Sequence, residues 1–104
     1  MNDQLPLFSD PLVMEYLRLT QEEMPRLAVT SRKDFPVSAD HCFQRIVLDT
    51  ICGGVWYDHI KKPAYKNMTP AQKLAAINLC YAIITDRADI AALNAQSLTW
   101  RGNL

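Results

Sequence analysis

Residues 69–84 read TPAQKLAAINLCYAII, and this stretch decides the fold. Thr69 is a helix cap, Pro70 suits the first helical position, and Gln72 completes a capping box, in which two side chains satisfy each other's free backbone amides. Beyond that start, Leu74, Ile77, Tyr81 and Ile84 recur on one face at helical spacing. Leu79 and Ile83 point the opposite way, so the second half of this helix is apolar nearly all round. A helix of that kind is either central in its domain or covered by a second chain.

The chain on both sides fits the same helical period. Downstream, a last helix is expected from Arg87 to about Thr99, with Ile90, Leu93, Ser97 and Trp100 inward and a frayed end at residues 101–104. Upstream, Asp10 caps a helix that starts at Pro11. Val13, Tyr16, Leu17, Thr20, Met24 and Leu27 fall on its inner face, and Glu15, Arg18, Glu22 and Arg26 on its outer face. The pattern runs through Pro25, which predicts one helix to about Val29, kinked where the ring meets the carbonyl of Gln21. Two short helices, with Thr20 and Glu23 as a capping box, are the alternative.

In the middle, Ser38 is read as the cap of a helix with Phe43, Ile46, Val47, Thr50 and Ile51 inward. Gly53-Gly54 stops it, because glycine accepts the left-handed conformation at a helix end. Val55 to Ile60 add a turn or two before Lys61-Lys62-Pro63 breaks the chain. No stretch alternates apolar and polar residues between hairpin turns. The expectation is an all-α fold, a small orthogonal or bundle-like domain of four main helices plus one short helix after Gly53-Gly54. Residues 1–104 form one domain, with 1–9 as an N-terminal arm.

Composition narrows the function classes. The chain has 104 residues, 49% of them hydrophobic, which is too apolar for a disordered chain. Eleven basic and eleven acidic residues give a formal net charge of zero, and non-specific nucleic-acid binding depends on a positive surplus. No apolar run approaches the ~20 residues of a membrane span. Met1-Asn2-Asp3-Gln4 lacks the basic head and apolar stretch of a signal peptide. Three cysteines, Cys42, Cys52 and Cys80, suit a reducing compartment better than a disulfide scaffold, so a cytoplasmic location is expected. Charge is uneven: residues 1–30 carry −3, residues 31–66 carry +2 and the rest +1. Two readings follow: the acidic first helix lies against the basic middle, or Arg32, Lys33, Lys61, Lys62 and Lys66 form a mildly basic face for an acidic partner.

The common site motifs are absent. There is no phosphate-binding loop, dinucleotide fingerprint, H-E-x-x-H, G-x-S-x-G or acyl-CoA-binding turn. The cysteines show no C-x-x-C pair, and His41 and His59 sit on different elements. No metal site is expected, and no motif implies a cofactor.

The most unusual segment is Cys52 to Tyr65, CGGVWYDHIKKPAY. Aromatic walls with a few polar tips are what a small-molecule pocket needs. Trp56, Tyr57, His59, Lys61, Lys62 and Tyr65, together with Arg45, are therefore the candidate ligand-binding residues, and the lysines would favour an anion. The competing structural reading has the glycines ending a helix and the aromatics filling the core. A second stripe, His41, Arg45, Leu48 and Cys52, lies on the polar side of the middle helix. Cys52 is two or more turns from either cation, which argues for an inert thiol, and Arg45 with Asp49 reads as a surface ion pair. Leu48, Leu79 and Ile83 are apolar residues that one core leaves over, and they predict an interface: a homodimer or a protein partner. The competing reading covers them within one chain, by the extra short helix and the arm Leu5-Pro6-Leu7-Phe8.

The expectation is a small helical binding or interaction module that self-associates, with a pocket for an anionic small molecule around Trp56–Tyr65. One alternative is a small enzyme using His59 and Asp58 for proton transfer, weakened because neighbours on a helix diverge by about 100°. Another is a helix-turn-helix-like DNA binder, which would offer Trp56, Tyr57, Asp58 and His59 to the bases, a poor set that includes an acid.

Overall fold

Asp10 begins the first helix as its spacing predicts: its carboxylate accepts from the backbone N–H groups of Leu12 (2.9 Å) and Val13 (3.3 Å). The structure is a computed structural model that describes residues 10–30 and 35–103; the arm, Arg32, Lys33 and Leu104 lie outside the described residues. Helix α1 spans Pro11–Arg18 and passes without a break through a π-helical segment, Leu19–Glu23, into α2, Met24–Thr30. Before Pro25 the helix takes this wider turn, in which the N–H of Met24 bonds to the carbonyl of Leu19. A wide turn moves the carbonyl of Gln21 out of the path of the proline ring. It also shifts the inward face, so Leu19 joins Tyr16, Thr20 and Met24 in the interior. Thr20 caps nothing: its hydroxyl donates to the carbonyl of Tyr16 and accepts from the Gln44 amide.

Helix α3 spans Asp40–Cys52, and its cap is Ala39 rather than Ser38, with no side-chain hydrogen bond. Phe43, Ile46, Val47 and Leu48 are all buried along it. It ends as the glycine pair predicts. Gly53 is left-handed (φ 71°), and the N–H groups of Gly53 and Gly54 bond to the carbonyls of Thr50 and Asp49. The expected short helix after the glycines is a single 3-10 turn, Trp56–Asp58, followed by a four-residue helix α4, Ala64–Asn67.

Helix α5, Pro70–Ile84, carries the full capping box of Thr69 and Gln72. Its inward face is Ala76, Ile77, Cys80 and Ile83, whereas Leu74 and Tyr81 are exposed. The apolar pattern alone does not choose a face: α1 and α3 pack against α5 and cover the one that carries Ala76, Cys80 and Ile83. The central helix is α3, which packs on the π segment, on α2, on α5 and on α6. Helix α6 spans Ile90–Trp100 and starts later than expected, because Asp89 caps it by accepting from Ala91 and Ala92. Trp100 is 38% exposed rather than inward. The C-terminal turn is ordered by two bonds, Gly102 N–H to Thr99 and Asn103 N–H to Leu98, around a left-handed Gly102. Residues 101–103 are thus a closed helix end and not a frayed one.

Across the helices, α1 packs along α5. Lys73 reaches the cap residue Asp10 at 2.7 Å, and the Tyr81 hydroxyl donates to Glu15, which also binds Arg18. The all-α expectation is met: every regular element among the described residues is helical. None of these helices is long and apolar enough to cross a membrane.

Candidate functional site

The closed end of α6 puts Arg101 beside α3. There its guanidinium meets Asp49, which the spacing of four had assigned to Arg45. Arg101 donates from Nε to Oδ2 (2.8 Å) and from Nη2 to Oδ1 (2.9 Å), a two-pronged contact that fixes both groups. The same carboxylate accepts the backbone N–H of Trp56 (2.9 Å) and the hydroxyl of Ser97 (2.7 Å). Asp49 and Ser97 are fully buried. Burial alone would raise the Asp49 carboxyl, but the bonds from Arg101, Ser97 and Trp56 outweigh it and hold the carboxyl below its ordinary range.

Arg45 stands on the other side of Ser97. Its Nη1 donates to the Ser97 hydroxyl and its Nη2 to the Asn94 side-chain oxygen, each at 2.7 Å. The chain Arg101–Asp49–Ser97–Arg45–Asn94 therefore ties α3 to α6 and aims two guanidinium groups at one place. That place is a half-open cleft of about 550 Å³. Arg45, Arg101, Lys62 and His41 supply its polar edge, with the amide of Gln44. Tyr16, Leu48, Trp56 and Tyr65 supply its apolar walls, and Pro63 and Ala64 one rim. No carboxylate lines it among the described residues.

Of the residues named from sequence, the structure brings Arg45, Trp56, Lys62 and Tyr65 to the cleft. Tyr57 lies outside it as a support: Lys62 Nζ sits 4.3 Å from its ring centre and the Arg101 guanidinium 5.3 Å, while Trp56 meets it edge-on. His59, Lys61 and Asp58 are exposed and line no part of the cleft, and His59 lies beside Gly54. The stripe His41, Arg45 and Leu48, read from the sequence as lying on the polar side of its helix, is one wall of the cleft. Arg101, Asp49 and Tyr16 were missed. Arg101 carried no signal, since it followed the last helical period.

Cys52 is a half-buried free thiol. Burial first, and then the Asp49 charge, push its thiol up. Cys80 is pushed up to about 12 by burial, with a further contribution from Glu15. No group of three or more His, Cys, Asp or Glu side chains is placed to hold a metal among the described residues. The interface residues fare differently from their expectation: Leu48 is 2% and Ile83 1% exposed, both covered by their own chain, and Leu79 packs partly against the core. Leu48 and Ile83 thus present almost no apolar surface, while Leu79 is partly exposed.

Comparison of the chain with protein-family models, with curated proteins and with solved structures finds no match. The cleft therefore stands on its own geometry.

Proposed function

We propose that this protein is a small-molecule-binding module whose ligand enters the cleft between α3 and residues 56–65. The observation that carries this reading is the cleft itself. Its volume lies within the range of roughly 300–1,000 Å³ that small-ligand sites occupy. Its walls are largely aromatic, its polar tips converge, and two of them, Arg45 and Arg101, are held by hydrogen bonds to Ser97 and Asp49 in the absence of a ligand. A site fixed in advance loses less entropy on binding.

The enzyme reading draws no support from this geometry, because His59 and Asp58 lie away from the cleft. The DNA-binding reading would need a second helix after the glycine turn, and the chain offers one 3-10 turn there. Self-association remains the second reading. What favours it is the outward side of α1 and α5, where Met14, Leu74 and Tyr81 are exposed.

The two tryptophans supply the test, since Trp56 lines the cleft and Trp100 does not. A set of aromatic fragments is titrated while the indole N–H resonances are followed by NMR. Movement of the Trp56 signal with Trp100 unmoved supports the reading. Fragments that move only Trp100, or neither signal at millimolar concentration, overturn it.

A further inference from the structure

We infer that the cleft takes a flat aromatic molecule bearing one carboxylate, with Arg45 as its anchor; this rests on the cleft being a ligand site. The argument is one of charge. Both oxygens of Asp49 are occupied, Oδ1 by the Trp56 N–H and Arg101 Nη2, Oδ2 by the Ser97 hydroxyl and Arg101 Nε. Asp49 thus neutralises Arg101 and has nothing left for Arg45. Arg45 meets only neutral partners, Ser97 and Asn94, among the described residues. A guanidinium carries five N–H donors, and these two bonds leave three of them. The half-buried wall of the cleft therefore holds one positive charge that no described carboxylate offsets.

A half-buried cation without a counter-charge is costly, and an anion placed against it gains more than it would in water. One carboxylate matches one surplus charge and the planar donor geometry of arginine. A doubly charged phosphate would bring a second negative charge. The cation left to meet it is Lys62, which is exposed at the rim and already stands over the Tyr57 ring. The rest of the ligand is set by Trp56 and Tyr65, whose rings offer flat apolar surface, and by Leu48 at the wall. Tyr16, almost wholly buried, adds a third ring to this lining, and no described side chain bonds its hydroxyl.

Three probes of one shape test the inference: naphthalene-2-carboxylate, naphthalene-2-carboxamide and 2-naphthyl phosphate. Affinities are measured on the whole chain by calorimetry, with the Trp56 indole resonance as the reporter of place. The carboxylate is expected to bind at least about ten-fold more tightly than the neutral amide, the lower end for a hydrogen bond to a charged group. It is also expected to exceed the phosphate. Arg45→Gln should bring carboxylate and amide to equal affinity by weakening the carboxylate at least about ten-fold, with the melting temperature checked alongside. Equal binding of carboxylate and amide to the unaltered protein overturns the inference and leaves the cleft reading intact. Tighter binding of the phosphate also overturns it. A preference that survives in folded Arg45→Gln removes Arg45 as the anchor. If none of the three moves the Trp56 signal, the cleft reading itself falls. The comparison among probes uses the unaltered chain, so it decides the question even where Arg45→Gln does not fold.

Discussion

Asp49 and Arg101 are separated by 52 residues in sequence and joined by two hydrogen bonds, of 2.8 and 2.9 Å, in the interior. The pair closes the end of α6 onto the middle of the fold and fixes one edge of the cleft. Removing the carboxylate leaves a half-buried guanidinium, a buried hydroxyl and the Trp56 N–H without their acceptor. Asp49→Ala is expected to cost about 3–5 kcal/mol, the usual penalty for breaking a buried pair. Arg101→Met should cost a comparable amount, because it leaves the fully buried Asp49 carboxylate without its counter-charge. Deleting residues 101–104 should cost at least as much as Arg101→Met, since the turn at Gly102 goes too. Urea denaturation of the three variants checks the order. A neutral deletion would mean that the terminus is frayed after all.

Acid should weaken the packing of α1 on α5. The bond from Arg18, then that from the Tyr81 hydroxyl, hold the Glu15 carboxyl down to about 2, against an ordinary value of 4.5. Bonds from Lys73 lower Asp10, and Asp49 is lowered as described above. A carboxyl depressed in the folded state contributes stability above its unfolded value and loses it as pH falls through the folded one. Stability should therefore hold at neutral pH and fall from about pH 4.5 towards 2. Glu15→Gln should flatten the part of this fall that belongs to α1 and α5. Denaturation curves recorded through that window test it, and an unchanged slope in Glu15→Gln would remove Glu15 from the account.

The legible parts of this fold were local. The caps at Asp10 and Thr69 and the stop at Gly53 each depend on residues a few positions apart, and each is where its sequence signal puts it. The lining of the cleft was half legible. Aromatic density pointed to Trp56 and Tyr65, and the lysine pair to Lys62. Pairing across the fold was not legible. Asp49 stands four residues from Arg45, the spacing of a surface ion pair, and nothing in the sequence ranks Arg101 above it. Once α6 docks, Arg101 takes the carboxylate and Arg45 is left to Ser97 and Asn94. The same limit applies to α5. Its pattern gave two apolar faces, and the choice between them depends on which side α1 and α3 approach.

The π segment makes a prediction about chain length. It holds one more residue than an α-helix needs over the same rise, next to a proline that an α-helix would resist. Deleting Glu22, which is exposed, should restore α-helical geometry and drive the Pro25 ring against a carbonyl. The cost should be about 3 kcal/mol, as for proline inside a helix. Adding Pro25→Ala to the deletion should recover most of that loss, whereas Pro25→Ala in the full-length chain should change stability by less than about 1 kcal/mol. Equilibrium unfolding of the three variants decides this. Equal losses with and without Pro25→Ala would mean that the wide turn is held by core packing alone.

Two substitutions on α5 separate its buried and exposed sides. Ile83 is 1% exposed, so Ile83→Glu places a charge in the core without a partner and is expected to abolish folding. Leu74 is 49% exposed, and Leu74→Glu should leave the fold intact, with a change within about 0.5 kcal/mol. Circular dichroism with thermal melting distinguishes these outcomes, and light scattering on the folded variant reads its mass. Should the unaltered chain be a dimer and Leu74→Glu a folded monomer, the second copy docks on the outward side of α1 and α5. A dimer that persists in Leu74→Glu would rule out Leu74 as part of the contact. A folded, soluble monomer from Ile83→Glu would instead place Ile83 at a subunit boundary, against the burial described here.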